Sequence, residues 1–310
     1  MGTPSTHPLD GGFHDGKNMR VGMVIATKRR AELVHKVANA INEQSLLPSM
    51  LCISCSCHDD MDESKLNAKF PVTVIYSKIG ASAQRNAGIE HVIKTSDYVI
   101  FIDDDFIMHH QWIENMVKAF EDNNVVGVDG RLIRDGAREK KGGINFEEAL
   151  ASLKSSSILP SSGFSVRKHL YGCNMAYRCS AIENVRFDEK LPLYSWLEDL
   201  DFSHNAGEMG ALRSYNSLLG VHMGSKGGKV LDRLYGVSQI MNSVYLYRKG
   251  SIGFGLLMRF TIAPFIKNAC MSLFTSPFTD HKQRLKGNLF ALKKLMNGEC
   301  DPSIISRMHR

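Results

Sequence analysis

The nine residues DYVIFIDDD, Asp97 to Asp105, carry the decisive pattern of this 310-residue sequence. Tyr98 to Ile102 is an uninterrupted apolar run, as found in strands that are buried on both faces. The run stops at three consecutive carboxylates, which repel one another unless a cation compensates their charge. The stretch therefore predicts a buried strand that ends in a cation-binding loop, with a plain acidic loop or a helix N-cap as the alternative.

Strands and helices alternate on both sides of this run. Further apolar runs predict four more strands, at Val21–Ala26, Met50–Cys57, Val72–Tyr76 and Val125–Val128. Helical spacing of apolar residues predicts helices at Ala31–Ile41, Ser82–Lys94 and Trp112–Phe120. This alternation predicts an α/β fold with a mostly parallel central sheet and helices on both faces. Ligands bind beyond the carboxyl ends of the strands in such sheets, which is where the three aspartates lie.

Composition places the chain among globular proteins. It is 43% hydrophobic and 23% charged, and its net charge of +6 suits a phosphate-bearing ligand or an anionic membrane surface. The basic residues form no compact stripe interleaved with aromatic residues, so we expect no nucleic-acid partner. Seven scattered cysteines favour a reducing compartment. Residues 1–18 contain no signal-peptide core and are interpreted as a flexible leader, so we expect a cytoplasmic protein.

The aspartates also indicate which metal would bind. Hard oxygen ligands favour magnesium or manganese. Such an ion usually takes one or two protein carboxylates together with substrate phosphates, and a pair of aspartates after a strand fits that need. The sequence therefore predicts a divalent cation, Mn²⁺ or Mg²⁺, that binds together with a phosphorylated substrate.

Several segments in a fixed order resemble glycosyltransferase family 2, the inverting enzymes with a GT-A fold. Val21–Thr27 and the following KRR are similar to the family's first strand and its Thr-x-Asn-Arg turn. GASAQRNAGI at 80–89 resembles the family's helix with Ala-Arg-Asn, although Gln84 stands in the alanine's place. Residues 97–105 resemble its strand and Asp-x-Asp motif.

The resemblance continues on the acceptor side and covers roughly residues 19–225. GCNMAYR at 172–178 and FDE at 187–189 resemble the strand before the acceptor helix and its sequel. EDLDF at 198–202 resembles the element that supplies the catalytic base.

The resemblance implies transfer of a sugar from a nucleotide-sugar donor to a hydroxyl of a saccharide or lipid-linked acceptor, in polysaccharide or glycolipid biosynthesis. The implied donor-binding residues are Thr27, Arg30, Asp59, Arg85, Asn86, Asp103 and Asp104. The implied metal ligands are Asp103, Asp105 and His222.

The same resemblance implies the residues that act on the acceptor. Asp199 is the implied base, which would take the proton of the acceptor hydroxyl, and Glu198 would orient it. Asp201 is a weaker candidate, and Asn174 and Trp196 are the expected acceptor contacts. Structural roles stay open for Trp196 as a core residue, for Asp199 as an acid that complements the helix dipole, for Arg85 on a helix surface and for His222.

The second strand departs from the family. Members usually end it with an aspartate that contacts the nucleobase, whereas Ser54–Cys57 occupies that stretch and the first acids are Asp59 and Asp60. Either a longer loop lets Asp59 reach the base, or the base is recognised differently. The nucleotide of the donor therefore stays open.

The chain divides into a leader at 1–18, a GT-A domain at 19–228 and a helical region at 229–310. Within the domain, residues 136–168 predict a long mobile segment.

The apolar stretch at 251–277 is interrupted by Arg259 and Lys267, so it fits an amphipathic surface on an anionic membrane better than a transmembrane helix. A helical appendage packed on the domain is the alternative. The protein would thus be cytoplasmic, either free or peripheral at the inner face of the membrane.

Two other functions remain open. A sugar nucleotidyltransferase normally has a glycine-rich basic loop after the first strand, whereas KRR at 28–30 contains no glycine. A non-catalytic nucleotide-binding or sugar-binding domain would bind its ligand without turnover.

Overall fold

One sheet organises the fold of the computed structural model, which describes residues 19–139, 143–156, 163–225 and 231–309. The predicted leader lies outside the described residues. The strands are β1 (Val21–Thr27), β2 (Met50–Cys55), β3 (Val72–Tyr76), β4 (Tyr98–Asp103), β5 (Phe106–Met108), β6 (Val125–Asp135), β7 (Phe164–Arg167), β8 (Asn174–Arg178) and β9 (Ala211–His222). The helices around it are α1 (Ala31–Ala40), α2 (Ala81–Val92), α3 (Trp112–Ala119), α4 (Phe146–Lys154) and α5 (Glu198–Ala206).

The sheet has the order β3-β2-β1-β4-β8-β6-β9-β5, with β7 paired to β9. Strands β3, β2, β1 and β4 run parallel, as do β6 and β9, whereas β8, β5 and β7 run antiparallel to their neighbours. The predicted α/β fold with a mainly parallel sheet is confirmed. Ala26 pairs with Asp103, so the carboxyl ends of β1 and β4 meet at one edge.

The two faces of the sheet bury separate cores, as expected when successive strand residues point to opposite sides. Met23 and Ile25 of β1 belong to the core that includes residues of α1 and α3. Val24 belongs to the core that includes residues of α2 and α5. Gly88 lets α2 approach β1 closely, because a Cβ at this position would lie 2.3 Å from the Val24 side chain.

The region between residues 136 and 168 is more ordered than predicted. It contains α4, whose first turn is capped by the side chain of Asn145 accepting from the Glu148 N–H at 2.8 Å, and the strand β7. Strand β6 also continues from the predicted end at Val128 to Asp135, because it keeps pairing with β9 across several register shifts. The prediction of one long mobile segment is therefore wrong for the described part of it.

The C-terminal region is helical, as predicted, and comprises α6 (Asp232–Lys249), α7 (Phe254–Met271), α8 (His281–Met296) and α9 (Ile304–His309). Apolar residues of α6, α7 and the turn between them pack against Leu191, Leu197 and Leu200 of the domain. The helices therefore adjoin the segment that leads into α5. Within the described part of the chain, no helix is long and apolar enough to cross a membrane.

Candidate active site

A cleft of about 1510 Å³ opens at the carboxyl ends of β1 and β4. Its walls come from the ends of these strands, from β6 and β7, from residues 193–200, and from the start of α7. Ligand pockets usually have about 300–1,000 Å³, so this cleft has room for more than one small substrate.

One side of the cleft holds a group of candidate metal ligands. Asp103, Asp105 and His222 each offer a ligand atom, and these atoms lie within 4.8 Å of one another. The fold brings them together because Asp103 ends β4, and β5, directly after Asp105, pairs its Phe106 with His222 at the end of β9. Two carboxylates and an imidazole suit a divalent cation such as Mn²⁺, so these residues fit the predicted metal.

His222 is held between two carboxylates. Its Nδ1 lies 2.9 Å from Asp135 Oδ1, and its Nε2 lies 3.4 Å from Asp105 Oδ1. Burial lowers the pKa of His222, but the hydrogen bonds to Asp105 and Asp135 outweigh it and raise the pKa to about 10. Asp135 is opposite His222 in the β6–β9 register. Sequence reasoning missed this residue, since only the strand register reveals it.

The central aspartate is bound by the protein itself. Asp104 is buried, accepts from Thr27 Oγ1 at 2.7 Å and pairs with Arg30 at 2.6 Å. Burial raises the pKa of Asp104 to about 6, against the lowering effect of Arg30. Arg30 also lies 3.4 Å from Asp105 and donates to the Ser225 carbonyl at 2.7 Å. Thr27 and Arg30 thus line the cleft while they fix the loop of three aspartates.

Arg85 joins the metal-ligand group to the predicted catalytic residues. Its guanidinium is buried and donates to Asp103 at 2.7 Å, to Glu198 at 2.6 Å and to the Gly172 carbonyl at 3.1 Å. Arg85 is therefore not an exposed arginine on a helix surface, which the sequence had left as an alternative. Asp103 and Glu198 are linked through a single side chain.

Asp199 faces the cleft at the start of α5. Its Oδ2 accepts from the Gly172 N–H at 3.0 Å, and its Oδ1 accepts from the Leu200 N–H at 2.9 Å. Burial raises the pKa of Asp199, while the Gly172 hydrogen bond and the charge of Arg85 lower it. Burial and the charge of Asp199 raise the pKa of Glu198 to about 8, against the effect of Arg85. Because these two adjacent carboxylates make different contacts, they can have different roles, with Asp199 as a base and Glu198 as the residue that positions it.

Asp201, the weaker candidate for the base, has a structural position. It is fully buried, and its oxygens accept from Lys249 Nζ at 2.8 Å and from Ser251 Oγ at 2.5 Å. Lys249 also pairs with Asp188 at 2.8 Å. These contacts tie α5 to the end of α6 and leave Asp201 outside the cleft lining.

The segment before α5 has a strained backbone. Leu193, Ser195 and Leu197 have φ values of 59°, 54° and 73°, in the left-handed region that non-glycine residues rarely adopt. The Leu193 carbonyl accepts from the Ala81 N–H at 2.9 Å, and Ser195 Oγ accepts from the Ser82 N–H at 3.2 Å. The first turn of α2 therefore holds this segment in place at the edge of the cleft.

Trp196 lies at the border between the cleft and the C-terminal helices. It lines the cleft, and its ring packs edge-to-face against Tyr235 of α6 at 5.2 Å and Phe260 of α7 at 6.2 Å. The C-terminal helices thus support the cleft wall that carries Trp196.

Three predicted ligand contacts lie away from the cleft lining. Asp59 is exposed, while its neighbour Asp60 is buried and accepts from the Arg29 N–H at 2.5 Å. Asn86 donates to the Phe187 carbonyl at 2.9 Å. Asn174 is fully buried and donates to the Gly130 carbonyl at 3.1 Å. Asp60, Asn86 and Asn174 thus make contacts that hold the chain together, and Asp59 lies outside the cleft lining.

The other predicted residues line the cleft, except Asp105, which belongs to the metal-ligand group beside it. They are Thr27, Arg30, Arg85, Asp103, Asp104, Asp105, Trp196, Glu198, Asp199 and His222. Sequence reasoning also missed the basic side chains of β6, β7 and α7 that line the cleft, because single exposed arginines and lysines carry no local signal.

Comparison with known proteins places these observations in a family. The sequence matches the family described as Glycosyl transferase family 2 over residues 23–186, more than half of the chain. A search of curated proteins found no significant match.

Solved structures show similarity of fold. The mannosyltransferase PcManGT from Pyrobaculum calidifontis, in complex with GDP-Man and Mn²⁺, superposes with a TM-score of 0.52 at 12% identity, over 88% of this chain and 87% of that chain. S. aureus TarS 1-349 in complex with UDP-GlcNAc gives 0.48 at 11% identity, over 91% and 93%. A longer TarS chain gives 0.48 at 12% identity, over 82% of this chain and 44% of that one. The likeness to PcManGT confirms the predicted GT-A fold.

Proposed function

Because this chain belongs to glycosyltransferase family 2, we propose that it is an inverting, metal-dependent enzyme that transfers a sugar from a nucleotide donor to an acceptor hydroxyl. The observation that carries the proposal is the bridge through Arg85. It connects Asp103, a candidate metal ligand, with Glu198, the neighbour of the candidate base, inside one cleft. At the end of that bridge, a buried carboxylate of raised pKa lies beside a second carboxylate. Such a pair is typical of catalytic sites, and a domain that only binds its ligand does not need it.

The proposed reaction is a single displacement in which Asp199 is the base. As the acceptor oxygen attacks the anomeric carbon, its proton passes to a carboxylate oxygen of Asp199. The bond from the anomeric carbon to the diphosphate breaks, and the nucleoside diphosphate leaves with the bonding electrons. The Gly172 N–H fixes one oxygen of Asp199, and Glu198, held by Arg85, positions the start of α5.

Asp103, Asp105 and His222 would hold the metal, and a bound Mn²⁺ or Mg²⁺ would supply Lewis-acid neutralisation of the leaving diphosphate. Asp135 would orient the imidazole of His222. The complex of PcManGT with GDP-Man and Mn²⁺ supports the choice of donor class and of metal.

The test is a donor-hydrolysis screen of the purified full chain across UDP- and GDP-sugars with Mn²⁺. We expect release of a nucleoside diphosphate from one donor, because water replaces the absent acceptor. Release of pyrophosphate from a nucleoside triphosphate and a sugar phosphate would instead identify a nucleotidyltransferase. Binding of a nucleotide sugar without any turnover, with or without candidate acceptors, would identify a binding domain.

We also propose that α7 contacts an anionic membrane surface, which suits an enzyme of polysaccharide or glycolipid biosynthesis. Phe254, Ile262 and Ile266 leave 63%, 48% and 55% of their surface exposed, and the exposed Arg259 and Lys267 lie on the same helix. An apolar face flanked by basic residues favours the interface of an anionic bilayer.

Co-sedimentation with vesicles of phosphatidylcholine and phosphatidylserine tests this second proposal. The wild type should bind, and the Ile262→Ser, Ile266→Ser double variant should lose most of the binding. Met209→Ser, at a side chain that is 64% exposed on the turn after α5, is the matched control and should bind normally. A wild-type chain that never sediments with vesicles would leave α7 as a plain appendage of the domain.

A further inference from the structure

The cleft contains a second group of charged residues that the proposed reaction does not use. We call it the basic wall, and it consists of Arg131 of β6, Arg167 of β7, Lys168, His169 and Arg259 of α7, all of which line the cleft. Arg131, Arg167, Lys168 and Arg259 are exposed to solvent. These residues come from three separate elements, so their convergence is a product of the fold.

The arginines of the basic wall differ from Arg30 and Arg85, the arginines beside the aspartates, in their ion pairs. Arg30 and Arg85 each lie within 3.4 Å of two carboxylates. In the part of the chain that the structure describes, Arg131, Arg167 and Arg259 form no ion pair with a carboxylate. Gathering like charges at one surface costs free energy, so an anion that occupies the wall would relieve a repulsion already built into the fold.

The basic wall lies beside the proposed base. Burial and the charges of Arg167 and Arg259 lower the pKa of His169, whereas the charge of Asp199 raises it. Asp199, Arg167 and Arg259 therefore each lie close enough to His169 for their charges to shift its pKa. The metal-ligand group of Asp103, Asp105 and His222 lies around the ends of β4 and β9. We call this part of the cleft the donor half and the part around the basic wall and Asp199 the acceptor half.

Resting on the proposed function, we propose that the basic wall binds a phosphate group of the acceptor, which makes the acceptor a phosphorylated saccharide or polyol, either free or lipid-linked. The planar guanidinium groups of Arg167 and Arg259 suit the oxygens of a phosphate. A neutral sugar offers no anion to these guanidinium groups. Arg259 also lies on the helix whose apolar side chains are exposed, so a phosphate held there can belong to a lipid.

Calorimetry can test the proposal by measuring how tightly sn-glycerol 3-phosphate binds to the full chain in the absence of divalent metal. The Arg167→Gln, Arg259→Gln double variant should bind this probe at least about tenfold more weakly, since charged hydrogen bonds are lost. The Lys282→Gln, Lys293→Gln variant removes the same charge from exposed positions of α8 and should bind like the wild type. Donor binding with Mn²⁺ should change by less than about twofold in both variants, because the wall lies in the acceptor half.

Three results would overturn the proposal. The first is an arginine variant that binds the probe as the wild type does, and the second is a lysine control that loses as much affinity for the probe as the arginine variant. The third is an arginine variant that loses as much affinity for the donor as for the probe, which would assign the wall to the donor diphosphate. Donor hydrolysis without an acceptor tests the proposed function separately. A chain that hydrolyses a donor but binds no phosphate at the wall contradicts this inference alone.

Vesicles of phosphatidylcholine that contain either phosphatidic acid or phosphatidylserine, at equal surface charge, distinguish the two sources of phosphate. A lipid phosphate predicts that the wild type prefers phosphatidic acid and that the arginine variant loses this preference, while the Ile262→Ser, Ile266→Ser variant still binds glycerol phosphate. A free phosphorylated acceptor predicts glycerol phosphate binding with no preference between the two anionic lipids. Either pattern supports a phosphate-binding wall.

Discussion

The two halves of the cleft balance their charges differently. In the donor half, Asp103, Asp104 and Asp105 are each paired with Arg30, Arg85 or His222. In the acceptor half, the arginines of the basic wall lack such partners among the described residues. A donor diphosphate and a divalent cation largely cancel each other's charge, so a donor half that is balanced on its own can receive them together. Under the proposed assignment, an unbalanced acceptor half would instead select a substrate by its charge.

The largest expected effect comes from removing the proposed base. Asp199→Asn keeps the size of the side chain and can still accept the Gly172 N–H, but it cannot take a proton. Loss of a general base costs about 10²–10⁴-fold in rate, so turnover should fall by that factor while donor affinity stays near that of the wild type. Steady-state kinetics and a donor dissociation constant on the same preparation check this.

Circular dichroism serves as the folding control for that variant. If folded Asp199→Asn turned over near the wild-type rate, the base would lie elsewhere, and the buried position of Asp201 makes it a poor replacement.

A smaller effect is expected from the residue that positions His222. Asp135→Asn weakens the hold on Nδ1 of His222, 2.9 Å away, while the imidazole itself remains. Loss of such a partner typically costs about 10–100-fold in metal affinity. Titration of Mn²⁺ by electron paramagnetic resonance, without any substrate, should show this weakening.

Glu148→Gln, at an exposed carboxylate on α4, is the matched control and should bind Mn²⁺ normally. Unchanged affinity in Asp135→Asn would remove Asp135 from the metal site.

The smallest effect is a shift of pH dependence. Burial raises the pKa of Asp199 above its ordinary 3.8, so the active carboxylate form is lost as the pH falls through that raised value. The acid limb of kcat/KM, measured with saturating Mn²⁺, should therefore lie above pH 3.8. The limb should disappear in the residual activity of Asp199→Asn. If it persisted there, another group such as Asp104, whose pKa burial raises to about 6, would cause it.

Local patterns in the sequence predicted the first half of the fold. The apolar runs that predicted β1, β3 and β4 match the observed strands to within one residue. For β1 and β4 the reason is that buried parallel strands need little beyond continuous apolar side chains. Strands β5, β7 and β9, the second half of β6 and the helix α4 were missed. Pairing with β9 across shifted registers stabilises that half of β6, and no local periodicity shows it.

The candidate site divides in the same way. Asp103, Asp105 and Asp199 follow from motifs, whereas Asp135 becomes visible only through its register with His222. Asn174 has a polar side chain at a strand start, yet the fold turns it inward to the Gly130 carbonyl. A motif specifies which residue types are present, but long-range pairing decides which of them reach the cleft.

Donor binding with and without metal tests the division of the cleft most directly. The dissociation constant of the donor that the screen identifies should be measured with Mn²⁺ and with EDTA, for the wild type, Asp103→Asn, Asp105→Asn and Asp199→Asn. We expect EDTA and either of the first two substitutions to abolish tight binding, while Asp199→Asn binds the donor like the wild type. Equally tight donor binding in EDTA, or loss of donor binding in folded Asp199→Asn, would contradict this expectation.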